Sequence, residues 1–191
     1  MARKSMVRTF KEAQNAGPFG EYPILPEGVD PQLYLSRNDR QQPFFLTCEK
    51  DSLLAQMSGT AVIEFLDSSV NRFRAVPGDF IYVPGGTPHR VTPEEIGTQY
   101  RYKAEPSGLE AVSFRCPSCT AELMQQTWDT AAELPQEAYL RAVLSFNNNE
   151  GARVCAACGT AHPAIDLDGY KWRAIVDELS GAGSASEEEA W

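Results

Sequence analysis

Histidine is scarce in this chain, which has 191 residues and only two histidines, His89 and His162. Non-haem iron(II) oxygenases commonly hold their metal with two histidines and one carboxylate. A site of that kind would use every histidine in the sequence. Because His162 falls in a cysteine-containing segment far along the chain from His89, a site that joins the two is not expected.

Long hydrophobic segments and positive charge are also lacking. No apolar run approaches the ~20 residues that span a bilayer, and no hydrophobic signal core follows the basic start of the chain. The net charge of -9 argues against non-specific binding to nucleic acid or to anionic membranes. We expect a cytoplasmic protein without a nucleic-acid partner, a membrane partner or structural disulfides.

Short runs of β-branched and aromatic residues, each bounded by turn residues, dominate the middle of the chain. This pattern is typical of an all-β sandwich or barrel. We predict five segments along the sequence. They are an N-terminal helix and arm (1–29), a barrel (30–115), a four-cysteine unit (116–163), a C-terminal helix (164–180) and a mobile acidic tail (181–191).

One stretch, residues 78–89, carries the strongest fold signal. It begins with a Gly-Asp turn, continues as Phe-Ile-Tyr-Val, turns again at Pro-Gly-Gly and ends at His89. The spacing G-x5-P-x-G-x2-H, at Gly78, Pro84, Gly86 and His89, resembles the second motif of the cupins. The resemblance implies a single double-stranded β-helix (jelly-roll) barrel, in which His89 holds the position of a metal ligand.

Four of the five cysteines form two C-x2-C pairs, Cys116 with Cys119 and Cys155 with Cys158. Two such turns can bring four thiolates around one cation in a closed tetrahedral site. We predict one structural Zn(II) or iron in a rubredoxin-like unit, against the alternatives of disulfides or unrelated buried thiols. His162 is a candidate fifth ligand, but four thiolates already complete the site.

A cupin barrel followed by a four-cysteine unit resembles the bacterial 3-hydroxyanthranilate 3,4-dioxygenases. The resemblance covers most of residues 30–163 and includes the run Cys158-Gly-Thr-Ala-His162-Pro163. It implies ring opening by O2 at an Fe(II) that two histidines and one glutamate hold in the barrel. It also implies a second, non-catalytic metal at the cysteines and a homodimer.

The first cupin motif departs from that pattern. With Gly59 as the anchor, the two histidine positions fall at Leu46 and Cys48, and the glutamate position falls at Ser52. Of the three iron ligands that the resemblance implies, only His89 is present. We therefore expect no metal in the barrel.

Several residues remain candidates for a barrel site. Cys48 and His89 are candidate catalytic residues, as a thiolate nucleophile or a Cys/His metal site, against the alternative that each is a buried core residue. Arginines and aromatic side chains would suit a small aromatic or carboxylated ligand. The candidate substrate-binding residues are Arg40, Arg101, Tyr82, Tyr102 and Glu105.

Three functions follow as hypotheses. The chain is a diverged relative of the dioxygenases that acts on or binds a small aromatic or amino-acid-derived acid without the usual iron. Alternatively, it is a non-catalytic cupin that binds a small molecule or a partner subunit. In the third, the dioxygenase activity persists with an unusual ligand set.

Overall fold

The computed structural model describes residues 6–66 and 68–188, with side chains as far as Gly181. The strands form two antiparallel sheets with the orders β1-β2-β9-β4-β7 and β11-β10-β3-β8-β5-β6. The strands are β1 (Tyr22–Pro23), β2 (Gln32–Asn38), β3 (Phe45–Cys48), β4 (Ser52–Ser58), β5 (Ala61–Phe65), β6 (Arg72–Ala75), β7 (Phe80–Val83), β8 (His89–Pro93), β9 (Gly97–Lys103), β10 (Leu109–Arg115) and β11 (Glu122–Asp129). The helices are α1 (Thr9–Ala16), α2 (Pro135–Asn148) and α3 (Trp172–Glu188).

Alternation of buried and half-buried residues shows which face of each strand points inward. In β5, Ala61, Ile63 and Phe65 are buried and the residues between them are not, as the two-residue period of a strand requires. The inward side chains of both sheets share one core, which contains Leu54 and Val83 of the first sheet and Leu46 and Val91 of the second. The non-sequential strand order is that of a cupin-type jelly roll, so the predicted fold class is confirmed.

The four-cysteine region is continuous with the barrel rather than appended to it. β11 pairs with β10 along its whole length and so extends the second sheet. The buried face of α2 contributes Ala138, Tyr139 and Phe146 to the barrel core. Phe146 stacks on Phe114 with ring centroids 4.2 Å apart. The segments that the sequence separates at residue 116 therefore share one hydrophobic core.

Helices α1 and α3 cover the outer face of the first sheet. Ala13 and Ala16 of α1 and Ile175 of α3 pack on Leu35 and Tyr100. α3 continues to Glu188, past residue 180, where its glycine- and serine-rich sequence suggested that a mobile tail begins. Glycine lowers helix stability by only ~1 kcal/mol per residue, so it does not enforce an end. The last three residues of the predicted tail lie outside the described residues. No helix in the described ranges is both long and apolar enough to cross a bilayer.

The shared core gives a testable prediction for Phe146→Ala. Phe146 is fully buried, and removal of a buried phenylalanine ring costs ~3–5 kcal/mol. Urea unfolding, followed by tryptophan fluorescence and by thiol accessibility, should show one transition shifted equally in both signals. Leu144→Ala, a change at an exposed position of the same helix, is the control and should shift the transition little. Separate transitions for the two signals would contradict a common core.

Candidate functional site

The turn before β8 places His89 inside the barrel. Gly86 has φ 75°, a conformation that glycine adopts without strain, and its N–H donates to Cys48 O at 2.7 Å. A side chain at Gly85 would lie 2.4 Å from Glu49 O. The turn therefore packs tightly on the end of β3. His89 then pairs with Leu46 across the sheet, and its side chain is fully buried.

The side chain of Arg101 lies against the imidazole of His89. Arg101 Nη1 is 2.7 Å from His89 Nε2, and His89 Nδ1 is 3.1 Å from Thr87 O. A guanidinium can only donate hydrogen bonds. His89 Nε2 is therefore the acceptor, and Nδ1 carries the proton that is donated to Thr87. Burial and the charge of Arg101 hold the pKa of His89 well below its usual value, so the ring is neutral.

The same guanidinium reaches a second ligand position of the cupin pattern. Ser52 Oγ lies 3.4 Å from Arg101 Nη1, and Leu46, at the position of the missing histidine, is fully buried. A metal at His89 would need the Nε2 lone pair that Arg101 already uses, and it would meet a positive charge. These residues do not fit an iron ion in the barrel.

Arg101 belongs to a buried ionic cluster. Glu21 Oε1 is 2.9 Å from Arg101 Nε, and Glu21 Oε2 is 2.6 Å from Lys103 Nζ. Lys103 Nζ also lies 2.7 Å from Glu110 Oε1, as an ionic contact rather than a well-directed hydrogen bond. All four side chains are at most 7% exposed. The barrel interior therefore holds two cations and two acidic groups with little access to water.

The two glutamates differ in their electrostatic surroundings. Burial opposes ionisation of Glu21, but Lys103 and Arg101 together outweigh it and lower the Glu21 pKa. Burial raises the pKa of Glu110, which Lys103 offsets only in part. Glu21 is therefore the firmly ionised partner of Arg101.

Glu21 comes from the N-terminal arm. We call residues 19–21, Phe-Gly-Glu, the plug, because they bring a carboxylate from the arm into the barrel. Gln136 of α2 donates to both Gly20 O and Glu21 O, at 2.8 and 2.6 Å. The indole N–H of Trp172 donates to Phe19 O at 2.9 Å. The first turns of α2 and α3 thus hold the plug in place.

The structure brings together some of the predicted site residues and separates others. His89, Arg101 and Cys48 are all buried in or beside the barrel interior. Burial and the nearby Glu110 raise the pKa of Cys48 to about 12, so it is a neutral thiol. Tyr82 is 57% exposed and its hydroxyl donates to Asp51 at 2.8 Å.

Three other candidates lie outside the barrel interior. Arg40 pairs with Asp39 at the surface and lies over the Tyr170 ring. Tyr102 packs in the cluster on the outer face of the first sheet. Glu105 follows β9 in a loop. These residues do not converge with His89.

Sequence reasoning missed Glu21, Lys103 and Glu110. Lys103 had a signal, since it stands two residues after Arg101 and so shares its face of β9. Glu110 pairs with Cys48 across the sheet, which only the register reveals. Glu21 lies in a segment without periodicity and had no signal.

A groove of about 620 Å³ lies beside the arm that follows the plug. Its walls come from the arm, β2, the loop after β9 and the start of α2, and include Pro23, Tyr34, Glu105 and Gln136. Its size is that of a small-molecule site. Gln136 both lines the groove and holds the plug, so the groove adjoins the closed end of the barrel.

The four cysteines form the second candidate site. Cys116 Sγ lies 3.5 Å from Cys158 Sγ, and Cys119 Sγ lies 3.5 Å from Cys155 Sγ. Among the described side chains, this is the one group of three or more candidate metal ligands that converges. Tetrahedral Zn–S bonds of ~2.3 Å require sulfurs ~3.8 Å apart, so the arrangement fits a tetrahedral metal.

The two cysteine turns have matching backbones. In each, the N–H four residues after the first cysteine donates to that cysteine's carbonyl, from Thr120 at 3.0 Å and from Gly159 at 2.8 Å. Both residues have positive φ, 61° and 75°. Within the cluster, hydrogen bonds with Thr160 lower the pKa of Cys158 to about 6, whereas hydrogen bonds with Cys158 and Cys155 raise the pKa of Cys119 to about 12. His162 is not part of the cluster, and its ring packs edge-on to Phe146.

Comparisons with known proteins give structural similarity alone. No protein-family model matches the chain, and no curated protein matches it. It is similar to a hydroquinone 1,2-dioxygenase solved with Cd2+ and 4-hydroxybenzonitrile, with 17% identity over 53% of this chain and 78% of that chain, and a TM-score of 0.43.

Two further solved structures have comparable values. The hydroquinone 1,2-dioxygenase from Sphingomonas sp. TTNP3, with 4-hydroxybenzoate bound, has 14% identity over 50% of this chain and 71% of that chain, with a TM-score of 0.44. A cupin-2 domain protein from Shewanella frigidimarina has 20% identity over 43% and 78%, with a TM-score of 0.37. Identities and TM-scores this low do not indicate a shared activity. The fold is assigned from the strand order.

The cysteine geometry predicts about one bound metal per chain. Cys119→Ser should remove most of the bound metal, as measured by elemental analysis of purified protein, and should destabilise the fold because metal binding is coupled to folding. Cys48→Ala, which changes the one cysteine outside the cluster, should leave the metal content unchanged. Equal metal content in wild type and Cys119→Ser would contradict the site.

The buried neutral imidazole predicts a pH dependence of stability. The pKa of His89 is lowered on folding, so stability is present above the unfolded value of ~6.5 and falls as the pH drops below it. By pH 5 the loss should reach ~2 kcal/mol in urea unfolding. His89→Gln keeps an acceptor for Arg101 and should lose this slope, whereas His162→Gln should retain it. An unchanged slope in His89→Gln would contradict the assignment.

Proposed function

We propose that this chain is a cupin whose barrel binds a small aromatic or amino-acid-derived acid without a metal. One observation carries the proposal, namely that the Arg101 guanidinium donates to His89 Nε2 at 2.7 Å. The positive group next to His89 is therefore the guanidinium of Arg101 rather than a metal ion. A guanidinium binds carboxylates through paired N–H donors, whereas an iron(II) ion would require further protein ligands and open coordination positions.

The barrel interior supports binding of an acid rather than oxygenase chemistry. Ring opening by O2 needs a metal with free coordination positions for substrate and oxygen. Arg101 and Lys103 instead supply two buried positive groups that already hold one carboxylate. The neutral Cys48 thiol is a weak nucleophile in this setting. A binding role, or a partner-subunit role in a homodimer, therefore fits the site better than catalysis.

The remaining parts have supporting roles in this proposal. The groove outside the plug receives the body of the ligand, since it adjoins the barrel and has the size of a small-molecule site. A zinc or iron ion at the four cysteines holds the chain between β10 and α3 in place. The acidic net charge of the protein agrees with the absence of nucleic-acid and membrane partners in this proposal.

Metal analysis and oxygen consumption test the proposal. Protein reconstituted with Fe(II) under anaerobic conditions should bind metal only at the cysteines, and His89→Ala should not lower that content. With 3-hydroxyanthranilate and O2, an oxygen electrode should record no consumption above that of Fe(II) alone. A second metal per chain that is lost in His89→Ala, together with oxygen uptake, would overturn the proposal in favour of a dioxygenase with an unusual ligand set.

A further inference from the structure

The carboxylate that binds Arg101 and Lys103 is supplied by a segment outside the barrel strands. Glu21 precedes β1 and stands at φ 42°, and Phe19 stands at φ 46°. Residues other than glycine rarely adopt this left-handed conformation, which is energetically unfavourable at each position. A side chain at Gly20 would lie 1.9 Å from Ala16 O. The chain thus takes a strained path that places one carboxylate in the barrel.

We propose that the plug occupies a binding site for a small carboxylate, and that Glu21 stands where the carboxylate of a ligand binds. The inference rests on the proposed function and adds the place and chemistry of recognition. Arg101 Nε and Lys103 Nζ each bind a different oxygen of Glu21, at 2.9 and 2.6 Å. This arrangement specifies an anion with two oxygens. Arg101 Nη1 meanwhile donates a hydrogen bond to His89.

The surroundings limit the ligand to a small acid. Tyr139 is fully buried, and both burial and the Glu21 carboxylate raise its pKa well above the usual value, so it presents a neutral wall near the site. The Glu21 side chain beyond its α-carbon is chemically a propionate. Short aliphatic acids therefore match the volume that the plug fills, while a larger acid would extend towards the groove.

The hydrogen bonds between the plug and α2 determine how readily the plug leaves the barrel. Gln136, which donates to the carbonyls of Gly20 and Glu21, is also one of the residues that line the groove. Its own Oε1 is buried and accepts no hydrogen bond from the described residues. Loss of the two Gln136 hydrogen bonds would loosen the plug without change to Arg101 or Lys103, although Asn38, Ser36 and Trp172 still bind its backbone. The acid would then approach from the groove and compete with Glu21.

Chemical rescue with propionate tests the inference. Glu21→Ala removes the carboxylate and leaves its space empty, so the melting temperature should fall by about 10 °C. Propionate in excess should then raise it by at least about 5 °C, with a shift that grows as the logarithm of the propionate concentration. If Glu21→Ala is unfolded in buffer, propionate should restore the folded fluorescence signal.

Matched controls separate recognition of the acid from general effects. Glu21→Gln fills the same space without charge and should show no rise with propionate. Propionamide at the same concentration, and chloride at the same ionic strength, should not rescue Glu21→Ala. Equal rescue by propionamide or chloride, or no rescue by propionate, would overturn the inference. None of these results depends on iron, so the proposal that the barrel works without a metal is tested separately.

A second variant tests the plug with Glu21 intact. Gln136→Ala should bind propionate at least about 10-fold more tightly than wild type in calorimetric titration, because Glu21 competes less well once its backbone is freed. If Gln136 had a structural role alone, Gln136→Ala would lower the stability of the protein without any gain in affinity for propionate. Unchanged or weaker propionate binding in Gln136→Ala would contradict a displaceable plug.

Discussion

The guanidinium of Arg101 is the constraint on which the barrel interior depends. A buried cation must be paired, because an isolated charge in a low-dielectric interior is strongly unfavourable. Its three neighbours, His89, Ser52 and Glu21, come from two strands and from the arm. Pairing with Glu21 draws the arm inward, and the arm in turn needs donors from α2 and α3. The buried charge of Arg101 is thus linked through the arm to α2 and α3.

The fold and the cysteine site are predictable from sequence because both depend on local spacing. Gly86 and His89 lie in a turn whose geometry is determined by neighbouring residues, and each cysteine pair is a single tight turn. The ionic cluster is different, since Glu21 meets Arg101 only after the barrel has formed. Leu46 and Ser52 show that iron ligands are missing, but they do not show that an arginine from β9 takes their place. Long-range electrostatic pairing leaves no periodic pattern in the sequence.

The cysteine site and the barrel interior are physically connected through α2. Its C-terminal half packs Phe146 against the sheet and against His162, next to the second cysteine pair. Its N-terminal half carries Gln136 and Tyr139 over the plug. A metal that fixes the two cysteine turns therefore also fixes the helix that closes the barrel. A metal bound at the cysteines would in this way also restrain the helix that donates to the plug.

The order in which the chain is made sets the order in which the barrel closes. The arm leaves the ribosome first, but Phe19 O receives its hydrogen bond from Trp172 and Gly20 O from Gln136. These contacts have large sequence separation, and such contacts slow folding because the intervening chain must be ordered before they form. The hydrogen bonds from α2 and α3 to the plug can form only after those helices have been made, so we expect them to form late in folding.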